Sequence, residues 1–166
     1  MLRICLLIGI LLCNFVYGAT QQEASDKRDI ANTTLQMSGE NKTTAFTQLY
    51  DVLWYAALVE SDINNGNWSS SDDKNEALAH LDNIVGYLTE CWLLDYEYAS
   101  TILTGAQTSY NDSTTEYNAE DWTGAYIFAC DVIAPANSSS NTFANLYILA
   151  YQKNGDLYDL WLTIPW

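Results

Sequence analysis

A single histidine, His80, limits what this chain can do by nucleophilic or general-base chemistry. It falls among alanines and leucines, no Gly-x-Ser-x-Gly elbow occurs, and a thiol nucleophile would need a free cysteine beside it. A structural or surface histidine is expected. Carboxylates are plentiful, with Glu90, Asp95 and Glu97 in one cluster and Glu116, Glu120 and Asp121 in another. Paired acids can cleave glycosides, but 21 acidic residues generate such clusters freely, so solvated faces are expected. Asp62, Asn64, Gly66, Trp68, Asp72 and Asp73 lie where a calcium loop would, between two expected helices. Counted from Asp62, however, glycine comes one residue too early for an EF-hand, and an aspartate stands where glutamate usually closes the loop. A glycan on Asn67 would crowd an ion as well, and a plain interhelical connection is expected. Gly105 and Gly124 stand alone rather than in a phosphate cradle. The sequence therefore predicts a protein that is not an enzyme, with no catalytic residue, no metal and no cofactor.

The cysteines and the chain start speak to compartment. Arg3 followed by the apolar run Ile4 to Val16, with Val16 and Gly18 small enough for a cleavage site, reads as a signal peptide over residues 1–18. The run is shorter than the roughly 20 residues of a membrane span. A secreted, extracellular protein is expected. Removing the signal takes Cys5 and Cys13 and leaves Cys91 and Cys130, which are expected to pair as a disulfide on an oxidising route. Two thiols and one histidine fall short of a zinc site. The sequons begin at Asn32, Asn41, Asn67, Asn111 and Asn137. All five are expected on solvated loops, with three or more glycosylated.

Charge excludes some partners. The full chain carries a formal charge of −15, near −16 once Arg3 is gone. Such a field repels nucleic acid and anionic membranes, so neither is an expected partner. Twelve tyrosines and six tryptophans are the other unusual feature, and one domain is the default at this length.

The elements that must position these residues are read from periodicity. Residues 19–42 are polar and are expected to form a flexible arm, followed by a single domain over residues 43–166. Thr43 to Glu60 has helical spacing, and a second helix is expected from Ser71–Asp73 to about Leu94. Thr101 to Ser109 and Gly124 to Ile133 alternate like strands. Asn145 to Gln152 and Leu157 to Ile164 flank Asn154-Gly155, the preferred pair for a hairpin turn, with Lys153 facing Asp156. The predicted fold is α+β, two N-terminal helices packed on a C-terminal antiparallel sheet of four or five strands.

Helix before sheet is similar to the cystatin layout, and Pro165-Trp166 matches the Pro-Trp pair of that family's second hairpin loop. The Gln-x-Val-x-Gly loop has no counterpart, Ile102-Leu103-Thr104-Gly105 being no substitute, so no function is carried over.

Three functions fit these residues. The first is a binding module sheltering a small apolar or aromatic ligand between helices and sheet, lined by Tyr126, Tyr147, Tyr151, Tyr158 and Trp161. The second is an oligomeric structural, storage or protective glycoprotein that self-associates through the C-terminal hairpin. The third is an inhibitor or interaction module acting on a secreted partner through the arm or the Pro165-Trp166 end.

Overall fold

The computed structural model of the chain describes residues 18–166. Apart from Gly18, the expected signal peptide lies outside the described residues, as do Cys5 and Cys13. The rest is all-α: α1 spans Gln21–Asn65, α2 Ser71–Asn118 and α3 Trp122–Leu162. Among the described residues there is no strand. The expected α+β domain, with its sheet of four or five strands, is corrected by this, and the layout shared with cystatins goes with it. Residues 21–42, read as an arm, are the first half of α1. Thr101 to Ser109 continues α2, and α3 takes both Gly124 to Ile133 and the expected hairpin as far as Leu162.

The physical reason lies in how polar residues are used. Thr101 and Thr108 donate their hydroxyls to the carbonyls of Glu97 and Thr104, four residues back. Thr33, Thr43, Thr89 and Thr115 do the same. Back-bonding of this kind accommodates a β-branched polar side chain on a helix. Asn154-Gly155 also lies inside α3, where a mid-helix glycine costs about 1 kcal/mol relative to alanine. Lys153 and Asp156 do pair, at 2.7 Å, but along one helix face rather than across a turn.

Packing divides the chain into two compact units, and every helix contributes to both. One unit holds the residues up to Gln36 with Ile102–Asn137, the other Met37–Thr101 with Ser138–Trp166. The first has a core of small side chains: Ala31, Leu35, Ala106, Ala129, Val132 and Ala136, flanked by Leu103, Tyr110 and Ile133. Ser113 is fully buried there and donates its hydroxyl to the Ala125 carbonyl at 2.6 Å. Arg28 has its guanidinium 4.4 Å from the Tyr117 ring centre and 5.8 Å from that of Tyr110, with Nη2 donating to Thr114.

The second unit has the bulkier core. From α1 it buries Ala45, Leu49, Val52, Ala56, Val59 and Ile63, alternating steps of four and three. That is the spacing of helices packed knobs-into-holes. Tyr96 lies at its aromatic centre, stacked on Trp92 at 4.9 Å and meeting Phe143 edge-on at 5.4 Å. Burial pushes the Tyr96 phenol above its ordinary pKa.

Local chemistry sets the helix ends. Thr20 and Glu23 form a reciprocal capping box at the start of α1, and the Thr20 backbone N–H, with its hydroxyl, holds the Glu23 carboxyl below its ordinary pKa. At α2 the Ser70 hydroxyl accepts from the Asp73 N–H, and the Asp73 carboxylate, lowered by Ser69 and then Ser70, accepts from the Ser69 hydroxyl. Between α2 and α3 the N–H groups of Glu120 and Asp121 return to the carbonyls of Tyr117 and Glu116, a Schellman ending. Glu120 occupies its left-handed position at φ 64°, where glycine is the unstrained residue. Glu120→Gly is therefore expected to raise stability by about 0.5–1 kcal/mol, read as a higher urea midpoint. An unchanged or lower midpoint would remove this account of the turn.

The expected disulfide is corrected too. Cys91 and Cys130 are free thiols. Cys91 belongs to the second unit, beside Asn145, Leu146 and Leu149, whereas Cys130 belongs to the first, next to buried Ala129. The expectation of a pair rests on two cysteines left on an oxidising route; Cys130 lies on α3 rather than on a strand.

Candidate functional site

In the second unit, α1 and α3 bound an open groove of about 530 Å³, lined by Asp51, Trp54, Tyr55, Tyr151, Asn154, Gly155 and Tyr158. Helical spacing makes the site. Asp51, Trp54 and Tyr55 stand at i, i+3 and i+4 of α1, while Tyr151, Asn154, Gly155 and Tyr158 stand at i, i+3, i+4 and i+7 of α3. Such positions share one helix face, so each helix presents a strip of aromatic rings beside a small or polar residue. The opposite face of the same α1 stretch carries Val52, Ala56 and Val59 into the core and fixes the strip.

Two of the rings have backing. Tyr158 stacks beside Trp161 with centres 6.0 Å apart, and Trp161 Nε1–H donates to the Asp62 carboxylate at 2.9 Å. Desolvation, then the neighbouring Tyr158 and Asp62, raises the pKa of the Tyr55 phenol, which stays neutral at physiological pH. Trp54, Tyr151 and Tyr158 remain 61%, 65% and 51% exposed, so these rings face solvent rather than core. Gly155 adds open space, since a Cβ built there meets nothing within 4 Å.

Of the five aromatic residues expected at a ligand site, Tyr151 and Tyr158 come together in this groove, and Trp161 supports it from beside Tyr158. Tyr147 is half-buried elsewhere on α3 and does not line the groove. Tyr126 belongs to the first unit, under the Lys27 ammonium at 5.3 Å. Sequence reasoning missed Asp51, Trp54 and Tyr55.

Asp121, Asp62 and Asp73, from the acid clusters and the calcium-like loop, accept hydrogen bonds from the protein itself. Asp121 Oδ1 accepts from the Gly124 N–H as the cap of α3, and Glu90, Asp95 and Glu97 are exposed on α2. Asp62 accepts from Trp161 and Asp73 from Ser69, so the two acids framing the Asp62–Asp73 stretch already have protein donors. Among the described residues no three His, Cys, Asp or Glu side chains converge as a metal set. His80 is exposed, beside a second groove with Asp73, Glu76 and Asp159. At the C-terminal end, Pro165 accepts through its carbonyl from the Asn67 N–H at 2.7 Å, while Trp166 is exposed.

The sequons differ in setting from the expected loops. Asn32 and Asn41 lie on α1, Asn111 on α2 and Asn137 on α3, leaving Asn67 alone in an interhelical connection. Asn41 donates from Nδ2 to the Ser140 hydroxyl at 2.8 Å, and Ser113 and Ser139, the hydroxyl residues of the last two sequons, are fully buried. The exposed Asn67 has the setting a folded glycoprotein most readily accepts. Among the described residues no helix is long and apolar enough to cross a membrane.

No family model matches this chain, and no similar curated protein or solved structure was found. The groove's own chemistry is the guide to function.

Proposed function

We propose that this chain is a secreted, acidic, N-glycosylated binding protein without enzymatic activity, and that it holds a small ligand in the groove between α1 and α3 of its second unit. The observation that carries this reading is the convergence of four aromatic residues, Trp54, Tyr55, Tyr151 and Tyr158, on one concavity of about 530 Å³. Ligand sites are of this size and are mostly apolar, with a few polar groups that fix orientation. Large aromatic rings left in water on two neighbouring helix faces gain free energy when a flat or apolar ligand covers them.

The test is native mass spectrometry of deglycosylated protein from a eukaryotic secretion host, before and after organic extraction. Wild-type chain is expected to carry extractable small-molecule mass, and Tyr151→Ala to lose it while keeping its helical circular dichroism. Retention by a folded Tyr151→Ala variant, or an empty wild-type protein, would count against this groove.

A second reading is self-association of an extracellular structural or storage glycoprotein. It is favoured by Phe46, Tyr50, Leu93, Leu94 and Tyr98, large apolar side chains left exposed on α1 and α2 of the second unit. A strict monomer in sizing experiments at high protein concentration would discard it.

A further inference from the structure

We infer that the ligand of this groove is an organic cation, an alkyl- or arylammonium group held by aromatic faces and the Asp51 carboxylate. The inference rests on the groove being the binding site and adds the chemical class of what it binds.

Five tyrosines outside the groove have a basic side chain over the ring. Lys27 lies over Tyr126, Arg28 over Tyr117 and Tyr110, Lys42 over Tyr96 and Lys153 over Tyr87, with cation-to-centre distances between 4.4 and 5.8 Å. The fifth basic residue of the described chain, Lys74, donates to the Asn64 carbonyl. None of these five lines the groove. Among the described residues, no basic side chain joins the groove's four aromatic rings.

Electrostatics act in the same direction. A cation over an aromatic face is drawn to the negative centre of the ring, more strongly as water is displaced. Asp51 supplies a full negative charge at the edge of the same concavity. The formal charge of −15 raises the local concentration of cations and disfavours anions. A neutral apolar ligand would gain from the rings alone and would leave Asp51 without a role. The open side of Gly155 gives room for a bulky headgroup.

The experiment uses full-length secreted chain and two probes of one shape. Benzyltrimethylammonium carries the charge, and neopentylbenzene is its uncharged carbon isostere. Binding is read by calorimetry and by quenching of tryptophan fluorescence. The cation is expected to bind at least tenfold tighter than the isostere and to weaken as salt rises. Asp51→Asn should remove most of that preference. Gly155→Leu should fill the groove and abolish binding of both probes while keeping the helix, since leucine is the better helix former.

Equal or tighter binding of neopentylbenzene, lost in Gly155→Leu, would overturn the cation and leave the binding groove standing. Cation binding that survives both Gly155→Leu and Asp51→Asn in folded protein would place it elsewhere and overturn the inference. Binding of neither probe by well-folded wild-type chain would overturn the inference at the concentrations reached, and extractable ligand in the native protein would then decide the groove separately.

Discussion

Phe143→Ala is expected to destabilise the second unit by about 3–5 kcal/mol, the range for emptying a buried phenylalanine site. Phe143 is fully buried and its ring meets the edge of Tyr96, itself stacked on Trp92. Truncation removes the apolar burial and leaves a void that Tyr96 cannot move into without giving up its stacking on Trp92. For a chain of this length the loss corresponds to a fall in Tm on the order of 10 °C. Thermal unfolding by circular dichroism reads it directly. Phe143→Leu, which keeps most of the volume, should fall well short of that. A loss below about 1 kcal/mol for Phe143→Ala would mean that Tyr96 and its neighbours are not packed around this ring.

The helices around Phe143 were legible in sequence wherever large apolar residues carried the period. Leu49, Val52 and Val59 mark α1, Leu81, Leu88 and Trp92 mark α2, and the start of α2 at Ser71 follows from its polar cap and acidic first turn. Illegibility begins where core positions hold small or charged residues. On α1 the buried Ala24, Ala31, Ser38, Ala45, Val52 and Val59 recur every seven residues. Interleaved with them are Arg28, Leu35, Lys42, Leu49, Ala56 and Ile63, also every seven. Arg28 and Lys42 look solvated in a list of letters, yet each lies on that stripe with its charge over tyrosine rings. Thr101 to Ser109 reads as a strand for its β-branched residues, yet Thr101, Thr104 and Thr108 stand three and four apart, the helical spacing, and Thr101 and Thr108 bond back to carbonyls four residues earlier.

The candidate site was half legible for a related reason. Tyr151 and Tyr158 share a face in the expected hairpin and also on the observed helix, because seven residues make two helical turns. Asp51, Trp54 and Tyr55 could have been found from their i, i+3, i+4 spacing on a segment already expected to be helical. Tyr55 is half-buried, and its ring is shared between the packing and the groove.

Enlargement rather than truncation should expose the character of the first unit. Ala129 is fully buried among Ala31, Ala106, Val132 and Ala136, and no larger side chain than leucine or valine stands in that buried cluster. Packing through alanine brings helix backbones close, and the Ser113 hydroxyl reaching the Ala125 carbonyl at 2.6 Å depends on that closeness. Leucine at 129 would enter a cluster of buried alanine, valine and leucine side chains. It must drive the segments apart, stretch a buried hydrogen bond and loosen the contacts of Leu35 and Val132. Overpacking of this kind costs about 1–3 kcal/mol, although leucine and alanine differ little in helix propensity. The matched change at exposed Ala79 on α2 is expected to stay within about 0.5 kcal/mol. Chemical denaturation of the two variants gives the comparison. If Ala129→Leu matched Ala79→Leu, the alanine positions would be loosely covered rather than close-packed; if it stabilised the chain, the cluster would contain a cavity the size of an isopropyl group.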